Sequence, residues 1–259
     1  AAPRALIANG VPMPFTLSHP FIVLPLHRCR LLHFPALVIG AMSPDFPYYL
    51  HGRPYPGGHS WPSVLYYDVP LTALVYLLSP CLRRYLPDCL NAAYPPPAHF
   101  SRRWQTVVVF ALSAALGAAT HIVLDGFTHP NGWFVQHLPR LQQPAGALPL
   151  YQWVQHVLSI GRLMLLAAYQ WLMARHFPHR SPCGGGQKIC FWLGVVGLSV
   201  LTVLLWQLLQ PATAFATGSW GRLTDISVLW TIRFTDAVLL LLCASGLWLR
   251  LRTMQKTGN

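Results

Sequence analysis

Residues 104–133 constrain the fold most, because a long apolar run ends there in closely spaced ionisable side chains. The run WQTVVVFALSAALGAATHIVL is long enough, as a helix, to cross a hydrocarbon layer of about 30 Å. His121, near the end of this run, is followed by Asp125 and His129 at intervals of four residues. Residues four apart lie on one face of a helix, so His121 and Asp125 point the same way and could chelate a metal.

The alternative interpretation makes His121 a packing residue and Asp125 a residue at the membrane boundary. Ionisable groups inside a spanning helix are costly and usually functional, which favours a site. Gly126 and Pro130 limit the helix, but His129 stays close to Asp125 in either case.

The rest of the chain is also that of a membrane protein, since only 9% of its residues are charged, against about 25% in soluble domains. Five apolar runs predict five full spans, at residues 63–82, 104–125, 150–174, 189–210 and 227–249. Two shorter pieces, 17–27 and 31–43, form either a re-entrant hairpin or one broken span. The prediction is an all-α polytopic transmembrane bundle, with a tail at 1–12, a single membrane domain at 13–250 and a cytoplasmic tail at 251–259.

Short loops between the spans hold most of the basic residues, so the net charge of +12 indicates membrane orientation and anionic lipids rather than nucleic acid. Counting from the helix ends places a layer of polar side chains within roughly 10 Å of the outer face. This layer contains Asp68, His121, Asp125, His156 and Arg233.

Seven side chains on the outer side are candidate metal ligands: His19, Asp45, His59, His121, Asp125, His129 and His156. They offer nitrogen and oxygen without thiolate, a set that suits Zn, with Mn or Fe as alternatives. All six acidic residues of the chain are Asp, so every carboxylate role falls on an Asp. A catalytic metal needs three protein ligands and an open position, and seven candidates could supply one site or two.

These motifs resemble a bacterial membrane family called domain of unknown function 4184. The resemblance lies in TLSHP at 16–20, SPDFPY at 43–48, HS at 59–60, THIVLDGFTHPNGW at 120–133 and LYQWVQH at 150–156, and it covers about residues 13–250. The order of motifs is also similar to that of inner-membrane metal-dependent hydrolases, whose soluble relatives include zinc-dependent phospholipases C. That similarity implies that His19, Asp45, His59, His121 and Asp125 bind metal. The chain differs from those hydrolases at one His-rich stretch, reduced here to GGHS at 57–60.

The expected function is therefore hydrolysis of an ester or phosphoester of a lipid or lipid-linked substrate at the bacterial inner membrane. Asp45 or Asp125 would act as the catalytic base if it does not bind the metal. Two alternatives stay open. One is a carrier or channel with a relay of His and Asp residues, and the other is a structural membrane protein.

We predict that the loops at 83–103 and 175–188 and the C-terminus are cytoplasmic, because they are rich in Lys and Arg. Labelling of single introduced cysteines from either side of the membrane, or reporter fusions, measures the orientation. A periplasmic C-terminus would contradict the prediction and would move the candidate site to the other face.

Overall fold

The computed structural model describes residues 16–53, 58–85, 104–146, 148–176, 184–209 and 219–257, and the expected tail at 1–12 lies outside them. Nearly all of these residues are helical, which confirms the all-α class. The longer helices are α4 (Val69–Tyr85), α5 (Trp104–Thr128), α8 (Leu150–His176), α9 (Gly185–Leu209) and α10 (Ser219–Thr257). Helix α10 continues past residue 250, so the expected C-terminal tail is mostly a continuation of this helix.

The N-terminal segment is broken into short helical pieces, each too short to cross a membrane. A 3-10 helix spans Thr16–Arg28, with Pro20 and Pro25 inside it. Proline has no N–H for an α-helical ladder, which fits the tighter and irregular coil seen here. Helix α1 (Phe34–Gly40) and a second 3-10 turn (Ser43–Asp45) follow, and they lead into α2 (Phe46–His51).

Helices α1 and α5 pack against each other through small residues. Gly40 and Gly117 face the partner backbone so closely that a Cβ at Gly117 would stand 2.7 Å from the Ala41 nitrogen, and closer still to the Leu37 carbonyl oxygen. Ala114 on α5 is fully buried beside Gly40. Small residues let helix backbones approach closely, and this approach fixes the position of α1 on α5.

Side-chain hydrogen bonds fix the turn that precedes α4. Ser60 and Ser63 form a capping box at the start of α3 (Trp61–Ser63), which satisfies the first amide groups of that helix. A single π-helical turn, Val64–Asp68, then joins α3 to α4. Such π turns shift the register of a helix and often occur at functional sites. Here the turn carries Asp68, which is fully buried.

The remaining helices pack on the elements described so far or on one another. Helix α8 packs on the N-terminal segment and on α5, while α10 packs on α9, α4 and α2. Two short helices, α6 (Trp133–His137) and α7 (Pro139–Gln142), follow α5. The two-residue strands β1 (Pro144–Ala145) and β2 (Leu148–Pro149) pair antiparallel just before α8.

Among the described residues, three stretches are long and apolar enough to cross a membrane: Thr106–His137, Gly185–Leu209 and Ile226–Trp248. Only one stripe of α9, Val195, Ser199 and Val203, is buried, and the other faces expose leucines such as Leu209 at 82%. Such an apolar exterior indicates a membrane protein. The expected count of five spans is not confirmed. Residues 63–82 and 150–174 are helical, but Asp68 and Arg162 are among the polar residues that lower their hydropathy.

We predict that Gly117→Val lowers the thermal stability of the detergent-purified protein, because the new side chain would collide with the backbone of α1 rather than with a flexible side chain. The expected loss is about 1–3 kcal/mol or more, the usual cost of overpacking a core. Gly197→Val is the matched control, since a Cβ at Gly197 meets nothing within 4 Å. Equal melting temperatures for the two variants would show that the α1–α5 approach does not limit stability.

Candidate metal centre

Five of the seven candidate ligands come together in one buried cluster. His19 lies on the N-terminal 3-10 helix, Asp45 on the second 3-10 turn and His59 in the turn before α3, whereas His121 and Asp125 lie on α5. His19, Asp45 and His121 are all at least 94% buried, as their relative exposures are 6%, 3% and 0%. Three separate segments thus converge on one face of α5.

Two imidazole nitrogens and two carboxylate oxygens form the centre of the cluster. His59 Nε2 lies 3.2 Å from Asp45 Oδ1 and 3.4 Å from Asp125 Oδ2. His121 Nε2 lies 3.5 Å from Asp45 Oδ1 and 3.2 Å from Asp125 Oδ2. Neighbouring ligands bound to one ion at roughly 2.1 Å, with bond angles of about 90–110°, are about 3.0–3.4 Å apart. All four nitrogen–oxygen separations are therefore close to those of a coordination shell.

The hydrogen bond of His121 fixes how its ring faces this centre. Its Nδ1 lies 2.8 Å from the Ala41 carbonyl oxygen, which can only accept, so Nδ1 carries the proton and donates it. In the neutral ring Nε2 is then the lone-pair nitrogen, the usual metal-binding form of histidine. This Nε2 is buried and has no hydrogen-bond partner, although two carboxylates lie nearby. A cation would join these three groups.

The Asp45 carboxylate is held by Thr16, a residue of the TLSHP motif that was not predicted to belong to the site. Thr16 Oγ1 donates a 2.5 Å hydrogen bond to Asp45 Oδ2. Because that bond uses the single hydroxyl proton of Thr16, the Tyr49 hydroxyl at 2.6 Å must donate to Thr16. Oδ2 of Asp45 is thereby hydrogen-bonded, and Oδ1 is free to interact with His59 and His121.

The imidazole of His59 is the most exposed ring in the cluster and lies on the side that faces the neighbouring pocket. Its ring stacks on Tyr48 with the centroids 5.3 Å apart. Burial alone would lower the pKa of His59, but hydrogen bonds to the Asp125 and Asp45 carboxylates raise that pKa to about 9. The two carboxylates thus attract positive charge to this position, as a proton or as a metal ion.

The contacts define two overlapping sets of possible ligands that share His121. One set is His19, Asp45 and His121, and the other is His59, His121 and Asp125, with the ligand atoms of each set within 4.8 Å of one another. The rings of His19 and His121 are stacked with centroids 3.6 Å apart. Buried nitrogen and carboxylate donors without thiolate fit a divalent ion such as Zn, Mn or Fe.

The other two candidate ligands lie outside these sets. His129 directly follows the end of α5, and its Nδ1 is 3.5 Å from Asp125 Oδ1 and 3.1 Å from Thr128 Oγ1. It therefore stays near Asp125, as the sequence predicted. His156 lies on α8, and no ion pair joins it to the carboxylates in the part of the chain that the structure describes.

A pocket of about 620 Å³ opens directly beside the cluster. Asp125, His59 and His129 form its polar side, whereas its remaining wall is mainly apolar and aromatic. Trp61 and Trp133 line it and are 61% and 62% exposed, so they stand at its mouth. The cluster is therefore accessible to a ligand that has both polar and apolar parts.

Comparisons with known proteins agree with the motifs that form the cluster. No curated protein and no solved structure matches the chain. The family model described as domain of unknown function (DUF4184) matches residues 13–246, which include every candidate ligand. The chain therefore belongs to the DUF4184 family.

Proposed function

We propose that this protein is a membrane-bound, metal-dependent hydrolase that acts on an ester or phosphoester of a lipid or lipid-linked molecule. The observation that carries the proposal is the set of four separations of 3.2–3.5 Å between the His59 and His121 nitrogens and the Asp45 and Asp125 oxygens. Two buried carboxylates so close to a lone-pair nitrogen need positive charge between them.

The residues of this chain have distinct roles in the proposed reaction. His19, Asp45, His59, His121 and Asp125 would hold one or two divalent ions, most simply Zn. When bound, such an ion supplies Lewis acidity and lowers the pKa of water towards neutrality. An Asp45 or Asp125 oxygen that is not used as a ligand would accept the proton of the attacking water. His129, at the pocket edge beside Asp125, is placed to pass that proton on or to bind a further ion.

The pocket supports an amphiphilic substrate. Ile122, Val123 and Phe134 line it, and Val123 is 39% exposed on α5. An apolar chain could lie along this wall while its ester group reaches Asp125 and His59. Arg162 on α8 is 8% exposed and interacts electrostatically with Asp125, which adds positive charge near the centre and favours an anionic group such as a phosphoester.

The proposal includes the location of the protein. The apolar helices and the basic loops support a multi-pass protein of the inner membrane, with five spans and with the centre facing the outer side. Membrane lipids would then be both its solvent and the source of its substrate.

A carrier or channel is the second candidate. The broken N-terminal segment brings His19 and Asp45 beside α5, and discontinuous helices often form ion sites in transporters. In that case the His and Asp residues would relay protons or ions, and the pocket would be one end of a path rather than a substrate site.

We predict that the purified protein contains a divalent metal and that His121→Ala and Asp125→Asn each remove most of it, because each change takes away a central ligand. His137→Ala is the control, since His137 is exposed and its ring bonds to the Trp133 carbonyl of its own helix. Elemental analysis of detergent-purified proteins measures the metal. A metal-free wild type, or full occupancy in both variants, contradicts the metal centre.

An activity assay distinguishes the hydrolase hypothesis from the carrier hypothesis. Wild-type protein in detergent should release product from a chromogenic phosphodiester or a fluorogenic phospholipid, and Asp125→Asn should abolish the release. Metal-loaded protein without hydrolysis, but with metal-dependent ion flux in vesicles, would favour the carrier.

A further inference from the structure

Three buried polar groups, on His59 and on the helical segment that follows it, have no hydrogen-bond partner among the described residues. These are His59 Nδ1, the Thr72 hydroxyl and the carboxylate of Asp68, both of whose oxygens are unpartnered. Asp68 and Thr72 are four residues apart and both fully buried, so they lie on the same inner face of the helix. Unsatisfied buried polar groups are rare, and several together indicate a shared interaction.

The π turn determines that Asp68 faces inward. Ser63 is the polar neighbour of this carboxylate, but its hydroxyl proton is already donated to the Ser60 carbonyl oxygen at 2.7 Å. Ser63 therefore has no proton left for Asp68. The carboxylate instead interacts electrostatically with His59 and, to a smaller extent, with His121.

The His59 ring, in turn, needs a hydrogen-bond acceptor for its Nδ1–H group. If Nε2 binds the metal between Asp45 and Asp125, the imidazole is neutral and Nδ1 carries the remaining proton. Metal-binding histidines almost always donate that second N–H to a carboxylate, a carbonyl or a water, which fixes the tautomer and the ring orientation. The Tyr48 ring stacks on His59 but offers it no acceptor.

We propose that Asp68 is the positioning residue of His59, accepting the hydrogen bond of Nδ1–H through one water that also bonds Thr72. Asp68 does not touch the metal or the substrate. It holds the His59 ring so that Nε2 faces the Asp45 and Asp125 oxygens. This role rests on the proposed metal centre, and it explains why the π turn directs a carboxylate into the interior beside that centre.

The test is the affinity of metal-stripped, detergent-purified protein for Zn²⁺, measured by competition with a chromogenic chelator. Asp68→Ala should weaken binding by about 10–100-fold, the usual effect of losing such a partner. Asp68→Asn should weaken it less, because the amide oxygen still accepts a hydrogen bond. Ser199→Ala is the control, since Ser199 on α9 is also fully buried with an unpartnered oxygen, and α9 carries none of the candidate ligands.

A double-mutant cycle separates this role from a structural one. If Asp68 acts through His59, then Asp68→Ala should cause no further loss in a His59→Ala background but its full loss in a His19→Ala background. Melting temperatures of the metal-free proteins show whether each variant folds. If Asp68→Ala does not fold, the same cycle is measured with Asp68→Asn.

The outcomes are distinct. A wild type that binds Zn²⁺ while Asp68→Ala binds it equally well overturns the positioning role and leaves the metal centre intact. Equal losses from Asp68→Ala with and without His59 also overturn it, because the effect would then not pass through that ring. A wild type that binds no Zn²⁺ overturns the metal centre itself.

Discussion

The structure depends on bringing two carboxylates, Asp45 and Asp125, to the same two imidazoles inside a mostly apolar protein. Asp45 Oδ1 and Asp125 Oδ2 each have two imidazole nitrogens 3.2–3.5 Å away, so the pair is tolerable only if positive charge lies between them. Burial makes this requirement strict, because water cannot screen the repulsion. The rest of the centre can be understood as the means of holding this charge arrangement in place.

Helix packing provides that means. The glycines Gly40 and Gly117 let α1 lie against α5, and this contact brings the Ala41 carbonyl within 2.8 Å of His121 Nδ1. The Ala41 carbonyl, at the end of α1, thereby sets the tautomer of His121, a candidate ligand on α5. Thr16 donates to the second oxygen of Asp45 and is itself hydrogen-bonded by Tyr49. Packing and site geometry are therefore coupled: a change in the α1–α5 distance would also move the His121 ring relative to Asp45 and Asp125.

The sequence could predict the parts of this arrangement that depend on local spacing. The i, i+4 relation of His121 and Asp125 follows from helix geometry, and the short proline-containing pieces near His19 follow from the length that a span requires. The fold class followed from the apolar runs. Polar residues in residues 63–82 and 150–174 made the number of spans harder to judge, since burial in a bundle and exposure to lipid give similar patterns.

The features that could not be predicted from the sequence are those created by contacts between residues far apart in the chain. Thr16 and Tyr49 are ordinary residues in the sequence and gain a role only when the N-terminal 3-10 helix meets α2. Asp68 could be read as a helix-bundle contact, because a π turn, which decides its direction, has no recognisable sequence signal. His156 matched the polar layer by depth alone, and depth does not specify the face of a helix.

The separation of the ligands along the chain has a consequence for biogenesis. Ala41 and His121 are 80 residues apart, and the candidate ligands His19 and Asp45 each have a partner on α5. During synthesis these contacts can therefore form only after α5 has left the ribosome. Assembly of the centre would thus report that the first half of the protein has been inserted correctly.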